Sequence, residues 1–108
     1  MNQMYPARIT LSRATTIADS ARNYKVLIDN RDVGKIETGK TIEIPMAPGN
    51  HTIVLKIDWC GSNRIPFSIN PGENLQFECG SSLTGWKIFV KILYVLFMPN
   101  EYLWIRKL

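Results

Sequence analysis

Apolar and polar residues alternate with a period of two over most of this chain. In residues 8–13, RITLSR, Ile9 and Leu11 fall on one side and Arg8, Thr10 and Ser12 on the other. A pleated strand turns successive side chains to opposite faces, so the pattern predicts a half-buried strand. The rhythm lapses over 14–24, a polar, alanine-containing stretch read as a loop with room for one helical turn. Thr16 and Asp19 have capping-box spacing there. Alternation resumes over 25–29, with Val26 and Ile28 inward, then over 33–37. Residues 41–46 follow, with Ile42, Ile44 and Met46 on one face. Residues 52–59 place Ile53, Leu55, Ile57 and Trp59 inward and leave Val54 as the one apolar residue facing out. Residues 64–70 direct Ile65, Phe67 and Ile69 inward, and a last strand directs Leu75, Phe77 and Cys79 inward.

Turn chemistry separates these runs. Asn30 tolerates a left-handed backbone, Thr38-Gly39 and 60–63 break the rhythm, and two Pro-Gly pairs stand at 48–49 and 71–72. Proline pre-sets the first central position of a type II turn and glycine accepts positive φ at the second. Both pairs are read as hairpin turns. Roughly seven short strands at such spacing predict a mainly β fold, a small antiparallel β-sandwich or open barrel. A doubly wound fold would need helices between its strands.

The character changes at Leu83. Residues 83–98, LTGWKIFVKILYVLFM, are nearly all apolar and end before Pro99. As a helix they gather Trp86, Phe89, Val90, Leu93 and Phe97 on one face and Lys87, Lys91, Tyr94 and Met98 on a narrow polar stripe. As a strand they would put both lysines beside Phe89 and Leu93, so one C-terminal hydrophobic helix is expected, ended by the proline. Residues 102–107, YLWIRK, read as a short strand or an aromatic tail. The chain thus divides into a flexible N-terminus (1–7), a β-sandwich domain (8–82), an apolar helix (83–98) and a tail or short strand (99–108).

The stretch from Tyr24 to about Cys79 resembles a PEGA-type β domain. VLIDNRDVGKI stands where that family opens with strand, Asp-Gly, strand and glycine, and IEIPMAPGNHTIVLKID is similar to its glycine–histidine hairpin. Asn30 replaces the glycine of the opening pair, Lys35-Ile36 stands where Thr-Pro is usual, and Asp58-Trp59-Cys60 replaces the usual aromatic end. The resemblance implies a compact β-sandwich serving as an accessory, surface or adaptor module, with no catalytic residues to carry over.

Charge refines this reading. The net charge of +4 is uneven. Residues 1–25 carry +3 (Arg8, Arg13, Arg22 and Lys25 against Asp19), and 83–108 also carry +3 (Lys87, Lys91, Arg106 and Lys107 against Glu101). The middle is −2, so the basic excess sits at the chain ends. Such ends beside an apolar segment suit an anionic membrane surface, whereas a nucleic-acid binder more often spreads Lys and Arg over one folded face. No apolar run near the start is long enough for a secretory signal, so a cytoplasmic protein is expected, with membrane association as the further option.

Catalytic chemistry is sparse. His51 is the single histidine and is expected to be a hydrogen-bonded turn residue. Cys60 and Cys79 are expected to be reduced and buried, and a Cys–His dyad is opposed by geometry, both cysteines falling far from His51 along the strands. A structural zinc needs four ligands, which these residues do not supply. No cofactor, metal, P-loop or dinucleotide fingerprint is expected. The chain reads as a non-enzymatic interaction module. Its apolar helix would cover the sheet, bind a protein partner or drive self-association. The alternative is a peripheral membrane protein binding anionic lipid through 83–108. Trp86, Lys87, Phe89, Val90, Lys91, Leu93, Phe97, Tyr102 and Trp104 are the expected contact residues. At 1.5 Å per residue a helix over 83–98 is about 24 Å long, short of a ~30 Å hydrocarbon core.

Overall fold

The structure, a computed structural model, describes residues 7–14, 22–57, 60–81 and 103–108. Among them the alternation resolves into nine strands. These are β1 (Ala7–Arg13), β2 (Tyr24–Ile28), β3 (Arg31–Ile36), β4 (Thr41–Met46), β5 (Gly49–Ile57), β6 (Cys60–Gly61), β7 (Ile65–Ile69), β8 (Asn74–Ser81) and β9 (Leu103–Lys107). One sheet has the order β4-β1-β8-β9. The other runs β3-β2-β5, with β6 and β7 both along the far side of β5. The described residues contain no helix, and the helix expected over 83–98 lies outside them.

The core forms where the apolar faces of the sheets meet. Ile9 and Leu11, Val26 and Ile28, Ile53, Leu55 and Ile57, Phe67 and Ile69, and Phe77 and Cys79 are all buried, as the period of two demands. Leu103 and Ile105 join the same cluster, so the C-terminal strand belongs to the sandwich. Phe67 from one sheet meets Phe77 from the other edge to face, with ring centroids 5.3 Å apart.

Pairing departs from the antiparallel expectation at one place. β1 and β8 run parallel, Arg8 opposite Asn74 and Arg13 opposite Cys79. They are far apart in sequence, so no hairpin dictates their direction. The Pro-Gly turns also differ from expectation. β4 pairs with β1 while β5 pairs with β2, so Pro48-Gly49 carries the chain from one sheet to the other. Pro71-Gly72 does the same between β7 and β8. In the second, the Glu73 N–H donates to the Asn70 carbonyl and Gly72 has φ +77°, the geometry of a type II turn. A tight turn fixes a reversal of direction but does not decide whether the flanking strands then pair.

Register gives the sandwich two distinct ends. At one, Arg13 of β1 lies beside Tyr24 and Ile36, and Ser81 faces Leu103. At the other stand the β2–β3 turn and His51 near the start of β5.

Candidate functional site

The His51 end is built from two turns. Asp29 and Asn30 join β2 to β3 with φ of +53° and +67°, the doubly left-handed backbone of a type I′ hairpin turn. Asp and Asn tolerate that region better than other side-chain-bearing residues. The Asp29 carboxylate then reaches across to β5. Its Oδ1 accepts the Thr52 N–H at 2.9 Å and its Oδ2 lies 2.6 Å from His51 Nδ1. His51 Nε2 donates to the Ala47 carbonyl at 2.7 Å. Since an ionised carboxylate and a carbonyl can only accept, this geometry is fully satisfied by the imidazolium form of His51, with a proton on each ring nitrogen. The bond to Asp29 raises the His51 pKa above its ordinary value, against a smaller opposing effect of burial. The same bond, followed by that from Thr52, lowers the Asp29 pKa.

His51 is therefore a clasp between three segments, with its ring over Phe67 at 5.8 Å between centroids. A general base needs a free nitrogen lone pair aimed at a substrate, and here both nitrogens are committed. The adjoining depression, about 470 Å³ and open to solvent, is lined by Asp29, Asn50, His51, Thr52, Pro66, Phe67 and Ser68. The cysteines stand at the opposite end, Cys60 opposite Ile57 and Cys79 opposite Arg13, as the expectation against a Cys–His dyad required. Both are buried thiols, and burial pushes Cys79 up to about 12, so its nucleophilic thiolate is suppressed. Among the described residues no three His, Cys, Asp or Glu side chains cluster to hold a metal.

The Arg13 end has a different chemistry. Arg13 is only 3% exposed. Its Nη1 donates to the Arg22 carbonyl at 2.7 Å and the Ile36 carbonyl at 3.0 Å, and its guanidinium carbon lies 3.5 Å from the Tyr24 ring centroid. Sequence reasoning counted Arg13 only in the basic excess of residues 1–25. The missed signal was parity, because Arg13 continues the inward series of Ile9 and Leu11.

One position in from this end, Lys35, Lys25 and Lys56 stand directly opposite one another on adjacent strands β3, β2 and β5. Lys25 and Lys35 are exposed and Lys56 is partly so. The charged residues of the β body are thus not evenly mixed, which the linear charge count did not reveal.

Of the expected contact residues, Trp86, Lys87, Phe89, Val90, Lys91, Leu93, Phe97 and Tyr102 lie outside the described residues. Trp104 is described. It sits on the outer face of the β4-β1-β8-β9 sheet, opposite Gly80. A methyl group on Gly80 would come within 2.8 Å of the indole, so only glycine leaves the ring room to lie flat there. The indole N–H donates to the Ser81 carbonyl at 3.2 Å, and the Arg106 guanidinium carbon lies 5.6 Å from the ring. Trp104 thus packs within its own sheet and is partly buried.

Comparison with protein-family models and with curated proteins finds no match. Among the described residues no helix is long and apolar enough to cross a membrane.

Proposed function

We propose that this protein is a non-catalytic binding module, a β-sandwich that presents a contact surface at its Arg13 end. The observation that carries this reading is the commitment of His51. The one histidine of the chain has both nitrogens held by fixed acceptors, so the group best suited to proton transfer at neutral pH serves the fold. Burial of Cys60 and Cys79 supports the same reading. So does the PEGA-like stretch, a resemblance that implies an accessory or adaptor role.

Topology favours the Arg13 end as the surface. Ser81 and Leu103 are cross-strand partners, so the chain leaves β8 and re-enters β9 at that end. Between them lies the apolar run 83–98 with Trp86, Phe89, Val90, Leu93 and Phe97. A single bilayer crossing would separate its two ends by about 30 Å. Paired strands hold Ser81 and Leu103, the residues flanking that stretch, ~5 Å apart, so contact from one side is favoured over a span.

The test is the Phe89→Ser/Leu93→Ser/Phe97→Ser variant, compared with wild type by thermal unfolding, by light scattering after gel filtration and by vesicle flotation. The expected outcome is an unchanged unfolding transition with self-association or vesicle binding lost. A transition that collapses with the substitutions would instead make these side chains part of the protein's own core.

A further inference from the structure

The Lys35–Lys25–Lys56 row is an unfavourable arrangement for an isolated sheet. Neighbouring strands lie ~4.8 Å apart, and like charges directly opposite repel. Within the described structure the nearest ion-pair partner is Asp32. Its Oδ2 lies 4.0 Å from Lys25 Nζ, while its Oδ1 accepts the Gly34 N–H at 3.0 Å. Among the described residues Lys25 has this one exposed carboxylate within ion-pair distance, and Lys35 and Lys56 have none. Lys40 and Arg22 are exposed near the same end, the carbonyls of both being bonded by Arg13, and among the described residues Glu37 is the acidic residue interposed. Farther along the sheet, Asp29 is engaged by His51, and Glu78 of the other sheet by Arg106.

Beside these lysines Leu27 stands between Asp32 of β3 and Val54 of β5. Val54 is buried, Leu27 is partly exposed, and Val33 on the sheet edge is 41% exposed. Among the described residues this lysine row has no exposed aromatic ring beside it on which a base could stack, which argues against a single-stranded nucleic acid. It matches a bilayer surface, where ammonium groups meet anionic headgroups and aliphatic groups meet the headgroup boundary. The chain leaves β8 after Ser81 and re-enters β9 at Leu103 at this same end, and the most apolar stretch of the sequence lies between those two positions in the chain.

We propose that Lys25, Lys35 and Lys56 form a docking surface for an anionic lipid bilayer. The proposal rests on the binding-module reading and specifies its occupant. Phosphatidylcholine vesicles, with and without phosphatidylserine, provide the test by flotation at low and high salt. The protein should float with the anionic vesicles alone and lose binding as salt rises. The Lys25→Gln/Lys35→Gln/Lys56→Gln variant, with thermal unfolding checked, should bind on the order of a hundredfold more weakly, about fivefold per lysine. Arginine at the same three positions should restore binding. Undiminished flotation of the glutamine variant would overturn this docking surface and leave the binding-module reading intact, since that reading is decided by the Phe89, Leu93 and Phe97 substitutions. Displacement of anionic vesicles by equimolar single-stranded RNA would overturn the lipid assignment.

Discussion

His51 shows how one residue can be legible in type and illegible in role. Its position beside a Pro-Gly turn predicted a hydrogen-bonded turn histidine, and it is one. Its partner Asp29 lies 22 positions away, and only the β2–β5 register brings the two within 2.6 Å. The pair also sets a pH window. The His51 pKa is raised on folding, so its contribution is complete below the unfolded value of 6.5 and is lost as pH rises through the raised folded value. The Asp29 pKa is lowered, so its contribution is present above 3.8 and is lost as pH falls through the folded value. The clasp is therefore strongest between about pH 4 and 6.5. His51→Gln keeps a donor but no charge. Chemical denaturation across a pH series should show it less stable than wild type, with the largest margin in that window and a shrinking one in alkali. A margin that does not change with pH would show that charge adds nothing to the clasp.

At the scale of elements, the junction of β6 and β7 explains two features that alternation did not. Ile57 pairs with Cys60 and Lys56 with Gly61, yet Ile53 pairs with Ile65, so one extra residue is accommodated opposite β5. Ser62 fills the gap in the ladder, its N–H donating to the Leu55 carbonyl and its Oγ accepting the Leu55 N–H at 2.9 Å. Asn63 then bridges to the other sheet, donating to the Ile105 carbonyl at 2.9 Å and accepting the Ile105 N–H at 3.1 Å. The side-chain amide thus occupies backbone groups on the edge of β9. Other edges are blunted by Pro45 in β4 and Pro66 in β7, neither of which can donate to an added strand. The residues of this bulge, with Arg64, also flank the outward Val54, which is only 5% exposed. Ser62→Ala should cost about 1–3 kcal/mol, because the buried Leu55 N–H loses its acceptor. Asn63→Ala should cost about 1 kcal/mol and speed hydrogen exchange at Ile105 more than at Leu55. Equal exchange changes at both amides would show that the bridge does not act locally.

For the whole molecule, the decisive feature is polarity along the sandwich. Arg13 ties the end of β1 to the carbonyls of Arg22 and Ile36, joining the two sheets where the lysine row begins. Arg13→Met keeps much of the volume and removes the donors. It should lower stability by about 1–3 kcal/mol, measured by urea denaturation, because the buried Ile36 carbonyl loses this partner. Stability equal to wild type would mean that apolar packing replaces the bridge. Among the described residues the inward series from Ile9 to Cys79, in which Trp59 is not described, was determined by the sequence alone, because side-chain period in a strand is a property of the chain and needs no partner. So were the turn positions, since glycine, proline, asparagine and aspartate act on their own dihedrals. The parallel pairing of β1 with β8, the passage of both Pro-Gly turns between sheets, the Asp29–His51 clasp and the alignment of three lysines were decided only by tertiary structure. Each joins backbone or side chains distant in sequence, and their register depends on how two complete sheets close over one core.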